Sequence, residues 1–164
     1  MNKKINIIVA HDRNNGIGKD GNLLFKSKTD MSFFKSMTLH SCVIMGRKTW
    51  ESLPGKLKSR KNVVISKNSN YDTGDERVSV YTSLEDAIDD NLDRPIFIAG
   101  GESIYKEAIE KKLITGIYKT VFNCKKEADT FFQTYVSNKR LKHLLSFEKN
   151  EDNECSGNIY VQFI

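Results

Sequence analysis

The chain has 164 residues, of which 38% are hydrophobic and 29% charged, with a formal net charge of +5. That size bounds one domain, residues 1–164, with a fair-sized core, and the composition is that of an ordinary soluble protein without repeats or low-complexity blocks. The positive balance favours acidic partners: nucleic acid, or small substrates carrying phosphates and carboxylates. The apolar run Ile5 to Ala10 is too short for a signal segment and lacks a cleavage site, so a cytoplasmic protein off the membrane is expected. Three cysteines (Cys42, Cys124, Cys155), odd in number and widely spaced, are expected to be reduced thiols outside any disulfide framework. His11, His40 and His143 do not lie at metal-ligand spacing with a cysteine, so no metal is expected.

Ile5 to Ala10 predicts a mostly buried first strand. The segment Asp12 to Asn22 is dense in turn formers and nearly empty of core residues. It contains a literal G-x-G-x-x-G at Gly16, Gly18 and Gly21. A dinucleotide fingerprint needs those glycines to turn from a strand straight into a long helix. Here polar residues separate the strand from the first glycine, and Asn22-Leu23-Leu24-Phe25-Lys26 opens no helix. The segment therefore predicts a long glycine-hinged surface loop of the kind that serves as a lid.

A helix is predicted from about Lys28 to Met37, with Met31, Phe33, Phe34 and Met37 as its apolar stripe. Asp30 and Phe34, at i and i+4, share a face, so an acid lies on a stripe that should be buried. An acid in a first helical turn also complements the helix dipole, which is the commoner reason to find one there. Cys42 to Met45 is a continuous apolar run, as in a strand covered on both faces. Gly46 ends it, Arg47, Lys48 and Thr49 open a short helix, and Pro54-Gly55 stops it. Free N–H groups beside two cations and a hydroxyl make an anion cradle suited to phosphate, although a solvated basic turn has the same composition.

Lys56 to Lys61 is a basic loop, Asn62 to Ser66 a buried strand, and Val78 to Tyr81 a short one. Ser83 with Asp86 resembles a capping box opening a helix from Leu84 to about Asp89. Pro95 to Ala99 is a strand delivered into Gly100-Gly101, and Glu102 to Glu110 has helical spacing. Leu113 to Phe122 holds another strand, and Leu144–Glu148 with Asn158–Ile164 predicts an antiparallel hairpin. Strands alternating with helices argue α/β, with a mostly parallel sheet and an antiparallel edge. Three phosphate-capable turns follow Met45, Ile65 and Ala99, at strand C-terminal ends where open α/β sheets bind ligands.

Over essentially its whole length the chain resembles dihydrofolate reductase. The resemblance is carried in order by Ile8-Val9-Ala10 with Asp12, Gly16-Ile17-Gly18, Asp30 with Phe33-Phe34-Lys35, and Val43 to Ser52 (VIMGRKTWES). It continues through Arg60 to Val64, Ala99-Gly100-Gly101 with Ile104-Tyr105, Tyr118 with Thr120, and Asp129 to Phe132. The family implies an eight-stranded sheet flanked by about four helices. It also implies an NADPH-dependent oxidoreductase that reduces 7,8-dihydrofolate to 5,6,7,8-tetrahydrofolate for one-carbon metabolism, and that is a target of antifolates. A monomer is expected.

The resemblance makes Asp30 the acid that grips the amidine-like edge of the pteridine and favours protonation at N5, by enol tautomerisation or through an ordered water. Hydride then passes to C6. Arg60 matches the arginine that forks the α-carboxylate of the glutamate tail. Met31, Phe34, Leu53 and Leu57 would sandwich the rings, and Ile8, Val9, Ala10 and Thr120 complete the expected substrate set. For the cofactor, Gly46, Lys48, Thr49, Gly101, Glu102 and Ser103 match pyrophosphate contacts. Arg47, Ser66 and Lys67 surround the expected 2′-phosphate, favouring NADPH over NADH. Ala10, Ile17, Gly18 and Ala99 would meet the nicotinamide. Leu23, Ile65, Gly100, Ile104, Tyr105 and Thr130 complete the implied cofactor contacts, and Gly100-Gly101 matches a pair joined by a cis peptide.

The chain departs from the family pattern at three places. Leu24-Phe25 replaces the usual Pro-Trp, which removes an indole donor near the substrate and is expected to lower activity. Ser27-Lys28 replaces Leu-Pro and is expected to loosen the helix start, and Ala99 replaces a larger aliphatic residue. Two other readings compete. A pyrimidine reductase of riboflavin synthesis shares the fold and NADPH, but a ribityl phosphate has no need of the Asp30–Arg60 pair. A non-catalytic folate- or nucleic-acid-binding protein would draw on Lys56 to Lys61, yet no stacking aromatics interleave that run, so no nucleic-acid partner is expected.

Overall fold

The computed structural model describes residues 3–133 and 140–164. The strands are β1 (Ile5–His11), β2 (Gly16–Lys19), β3 (Asn22–Leu23), β4 (Cys42–Gly46), β5 (Lys61–Ile65), β6 (Ser79–Tyr81), β7 (Ile96–Ile98), β8 (Gly116–Phe122), β9 (Thr130–Phe131), β10 (Leu141–Phe147) and β11 (Gly157–Phe163). The helices are α1 (Lys28–Thr38), α2 (Arg47–Ser52), α3 (Leu84–Asp89) and α4 (Glu102–Glu110). Eight strands form one sheet in the order β10-β11-β8-β1-β7-β4-β5-β6. From β8 to β6 every neighbouring pair is parallel, whereas β11 runs antiparallel to both β8 and β10.

The parallel arrangement explains why β4 is apolar at every position from Cys42 to Met45. Cys42 and Ile44 face a cluster with Ile7, Leu84, Ala87, Ile104 and Ala108, under α3 and α4. Val43 and Met45 face the opposite cluster with Trp50 and Val64, flanked by Phe34. Each fully buried aliphatic side chain here contributes about 2 kcal/mol relative to exposure. Because the central strands are parallel, their C-terminal ends share one edge, where Ala10, Gly46, Ile65 and Ala99 lie.

The lid segment is not a bare loop. It folds as β2 and β3, which join β9 in a second, three-stranded sheet. No helix follows its glycines, in keeping with the rejected dinucleotide fingerprint. Gly16 is required by that packing, since a Cβ there would lie 2.8 Å from the Ala128 Cβ.

Two further expectations are overturned. Ser27-Lys28 does not loosen α1: Ser27 is the N-cap and its Oγ accepts from Asp30 N at 3.1 Å. The hydroxyl donates in turn to Asn153 Oδ1 at 2.6 Å, and Lys28 pairs with Asp152 at 2.8 Å. A serine cap replaces what a proline would supply by fixing φ.

The cysteines are likewise not all reduced, because Cys124 and Cys155 form a disulfide with a Cα–Cα distance of 6.1 Å. The register explains it. Phe122 pairs with Gly157, Asn123 N donates to Ser156 O at 2.9 Å, and the next residues outward are Cys124 and Cys155. With a sequence separation of 31, closing that loop stabilises the fold by about 3–4 kcal/mol in the chain-entropy picture. Cys42 is a free, fully buried thiol whose pKa burial pushes up to about 11. Among the described residues no helix is long and apolar enough to cross a membrane.

Candidate active site

Asp30 is the third residue of α1, and capping by Ser27 fixes where its backbone points. Across the cleft, β8 lies beside β1 with Thr120 paired to Ala10. Thr120 Oγ1 donates to Asp30 Oδ1 at 2.6 Å. Burial holds the Asp30 carboxyl above its ordinary pKa, and the Thr120 bond draws it partly back. A crevice beside this carboxyl is lined by Ala10, His11, Ile17, Leu23, Phe25 and Phe122. Burial lowers the His11 pKa, so its ring is neutral near pH 7. Phe25 packs on Phe122 with centroids 4.7 Å apart and brings no donor to the crevice.

The predicted substrate residues divide by face. Ile8 and Ala10 alternate toward the Asp30 side, whereas the Val9 side chain packs into the cluster under α4, leaving only its backbone for the cleft. Tyr105 donates from its buried hydroxyl to Ile8 O at 2.8 Å, which stiffens that floor from below. Phe34, Leu53, Leu57 and Ala99 form a half-buried apolar wall against the Val43–Trp50 cluster. Met31 is 64% exposed at the rim. Arg60 closes the far end, with Nη1 donating to Thr38 Oγ1 at 3.1 Å and Nε to Lys58 O at 2.9 Å. Among the described residues no carboxylate forms an ion pair with it, and partial burial lowers its pKa. A half-desolvated guanidinium without a counter-ion is suited to an incoming carboxylate.

On the other side of the sheet edge, two helices begin together. Gly46 caps α2 and Gly101 caps α4, neither with a side-chain cap bond, whereas serines cap α1 and α3. First-turn N–H groups of α2 and α4 therefore remain for an outside acceptor. The two starts touch: Gly46 N donates to Gly100 O at 2.7 Å, and a Cβ on Gly101 would lie 3.4 Å from Thr49 Oγ1. Gly100-Gly101 is cis, and Gly100 has φ of 110° with the Tyr105 ring 3.2 Å from any added Cβ. A pyrophosphate fits this cradle: the backbones come close, Lys48 is exposed beside it, and Ser103 lies in the first turn of α4. Glu102, in the same first turn, could offer a pyrophosphate only its backbone N–H, since its carboxylate would repel phosphate.

Beyond the cradle, Arg47 and Lys67 are exposed cations at the ends of β4 and β5. Arg47 lies 6.0 Å from the Tyr71 ring centroid and 3.9 Å from Glu51. Ser66 is turned inward, its hydroxyl accepting from Asn68 N at 3.2 Å. Ile65 and Ile104 back the cradle from the core. Leu23 is 72% exposed on the lid. Thr130 pairs with Gly18 in the small sheet. A separate surface cavity lined by Tyr71 to Glu76 carries Asp72, Asp75 and Glu76 and does not contain Asp30.

The residues that hold the lid include Asp12 and Asp129, which carry part of the resemblance without an assigned role, and Lys126, which the sequence did not mark. Buried Asp12 accepts from Asn14 N and Gly16 N through Oδ1, and from Lys126 N through Oδ2. Asp129 accepts from Asp20 N at 2.9 Å and donates its own N–H to Gly18 O at 3.0 Å. The turn formers at 12–16 hinted at the Asp12 bonds, but no local signal marks Lys126 or Asn153.

The dihydrofolate reductase family model matches residues 4–163. Among curated proteins the chain is 38% identical to dihydrofolate reductase of Schistosoma mansoni over 146 residues, covering 79% of this chain and 77% of that one. It is 34% identical to dihydrofolate reductase of Staphylococcus aureus over 132 residues, covering 80% and 79%. It is also 37% identical to bifunctional dihydrofolate reductase-thymidylate synthase 2 of Arabidopsis thaliana over 146 residues. That match takes in 78% of this chain and spans about a quarter (26%) of the bifunctional protein. Among solved structures, a dihydrofolate reductase from Enterococcus faecalis complexed with NADP(H) and RAB-propyl superposes with a TM-score of 0.85 at 26% identity, covering 97% and 95% of the two chains. The fold, the paired glycine-capped helix starts and the Asp30–Thr120 cleft thus stand in a chain that belongs to the dihydrofolate reductase family.

Proposed function

We propose that this chain reduces 7,8-dihydrofolate to 5,6,7,8-tetrahydrofolate with NADPH, and that Asp30 is the acid that orients the substrate and directs its protonation. The observation that carries the proposal is a half-buried carboxyl, bonded to Thr120, in a cleft between an apolar wall and an anion cradle.

The dihydropteridine presents an N–H beside an amino group, which a carboxylate can hold with two parallel hydrogen bonds. Asp30 supplies that pair while the Thr120 hydroxyl fixes its rotamer. Burial raises its pKa against the pull of the Thr120 bond, the direction that favours a role in managing a proton. Ile8, Ala10, Phe34, Leu53 and Leu57 exclude water around the ring and hold it flat, and Arg60 takes the α-carboxylate of the glutamate tail. Gly46, Lys48, Thr49, Gly101 and Ser103 would hold the dinucleotide pyrophosphate, with Arg47 and Lys67 near the 2′-phosphate, which accounts for a preference for NADPH over NADH. The bound cofactor supplies hydride; the chain supplies stacking geometry through Ala10, Ile17, Gly18 and Ala99.

The chain is proposed to act as a monomer of one domain in the cytoplasm, binding dihydrofolate and its antifolate analogues, without nucleic acid. The test is loss of reduced-nicotinamide absorbance on adding dihydrofolate, with and without a diaminopyrimidine inhibitor. Oxidation that depends on dihydrofolate and is blocked by the inhibitor supports the reading; none with either cofactor rejects it.

A further inference from the structure

The Cys124–Cys155 disulfide joins the two segments that hold the lid. From the side of residues 123–129, Lys126 N donates to Asp12 Oδ2 at 3.1 Å, Lys126 Nζ to Leu24 O at 2.7 Å, and Asp129 N to Gly18 O at 3.0 Å. From the side of residues 150–155, Glu154 takes Lys26 N at 2.9 Å and returns its own N–H to Lys26 O at 3.0 Å. Ser27, at the exit of the lid, is bonded to Asn153. The lid is thus gripped at both ends by segments crosslinked to each other. Among the described residues, the other side-chain links at this junction are the Lys126–Glu154 ion pair at 2.8 Å and, one residue toward the sheet, Asn123 Nδ2 donating to Ser156 Oγ at 2.9 Å. An exposed ion pair is a weak tether, and the Asn123 bond lies on the sheet side of the disulfide.

We propose that Cys124–Cys155 is a thiol–disulfide exchange site through which a dithiol reductant loosens the lid and slows hydride transfer in the cleft beside Asp30. The inference rests on the proposed reading of that cleft. Cys124 is partly exposed and followed by Lys125 and Lys126, whereas Cys155 is fully buried among Leu24, Phe25, Phe122, Phe147 and Ile159. An incoming thiolate therefore attacks Cys124 Sγ. The bond to Cys155 breaks, and its electron pair leaves on Cys155 Sγ, which takes up a proton. The reductant's second thiolate then attacks its own sulfur in the mixed disulfide and releases Cys124, which is protonated in turn. The protein gains two thiols, and the dithiol becomes a cyclic disulfide.

Leu24 and Phe25, at the lid exit, pack in the same apolar cluster as Cys155, so release of the crosslink reaches the lid exit directly, while Phe122, Phe147 and Ile159 of that cluster stay fixed by the β8–β11 and β10–β11 ladders. Without the crosslink the two grips are coupled, among the described residues, only by the Lys126–Glu154 pair and by the Asn123–Ser156 bonds at the end of the β8–β11 ladder, so the lid conformation seen here is a smaller share of the population.

The experiment compares whole protein oxidised, reduced with dithiothreitol, and reoxidised, with alkylation mass reporting the state of the cysteines. Single-turnover hydride transfer to dihydrofolate is expected to fall about threefold or more on reduction and to return on reoxidation. Amides of residues 16–20 are expected to exchange about tenfold faster when reduced, while those of β1, β4 and β7 keep their rates. The Cys124→Ser variant, which leaves buried Cys155 in place, should hold the slow rate with or without dithiothreitol. Equal rates and equal lid exchange in the oxidised and reduced protein would overturn the inference while leaving the dihydrofolate reading intact. Accelerated exchange throughout the sheet would overturn it in favour of a purely stabilising crosslink. Absence of hydride transfer in every state would reject the reading of the site itself and the inference with it.

Discussion

Thr120 and Asp30 lie 90 residues apart in the chain and share a 2.6 Å hydrogen bond. Because the hydroxyl donates to Oδ1, the carboxyl is held in one rotamer and Oδ2 is left for another partner. Replacing Asp30 with Asn keeps an acceptor for Thr120 but removes the charge and the proton it manages. Hydride transfer at neutral pH should fall by several orders of magnitude in Asp30→Asn, with NADPH affinity kept. Stopped-flow turnover beside cofactor titration checks both, and a variant within a few-fold of the parent rejects the role.

The same carboxyl has a stability signature. Its folded pKa lies above its ordinary value because burial disfavours the charge, so the ionised form penalises folding. That penalty is in force above the folded pKa and is relieved as pH falls through it toward the unfolded value. Ligand-free Asp30→Asn should therefore melt on the order of a few degrees higher than the parent at pH 7. The gap should close as pH falls into the carboxylate range, as followed by circular dichroism in buffers of equal ionic strength.

Arg60 offers an independent check. Its bonds to Thr38 and Lys58 fix the guanidinium without neutralising it. Arg60→Leu should weaken folate binding by about ten- to a hundredfold, the worth of a charge-assisted pair, with NADPH affinity unchanged. Equal losses for both ligands would place Arg60 outside the tail site.

Cofactor choice should follow Arg47 and Lys67. Arg47→Ala combined with Lys67→Ala should raise the KM for NADPH about tenfold or more and leave that for NADH nearly unchanged. Initial rates with the two cofactors decide this, and parallel changes would mean that the cations do not meet the 2′-phosphate.

The start of α1 depends on a side chain from the far end of the sequence. Asn153 is buried, its Oδ1 accepting from Ser27 Oγ and Thr29 N and its Nδ2 donating to Thr29 Oγ1. Asn153→Ala leaves the buried Ser27 hydroxyl and the half-buried Thr29 N–H without this acceptor and should cost about 1–3 kcal/mol. Ser27→Ala should cost about 1 kcal/mol. The double variant should fall short of the sum, because the two residues share one network, and urea titrations of the three variants test it.

Local chemistry explains which features could be anticipated. α3 and α4 begin and end where cap and spacing predict, and β4 declares itself because burial on both faces demands an unbroken apolar run. Asp30 was visible as an acid on an apolar stripe, but only the β1–β8 register brings Thr120 to it. The disulfide escaped notice for the same reason, since Cys124 and Cys155 meet through an antiparallel register that no local pattern encodes. The short strands of the lid were missed because glycines and turn formers mask a pairing imposed by β9. Ser27 was misjudged because its usefulness depends on Asn153.

Leu23 and Met31 stand 72% and 64% exposed at the mouth of the cleft. Large apolar side chains left in water are hydrated surface that folding has not removed. If ligands cover them, that dehydration belongs to complex formation, and calorimetry of association should register a negative heat-capacity change. Trimming either to Ala should shrink that quantity while the resting fold keeps its melting temperature.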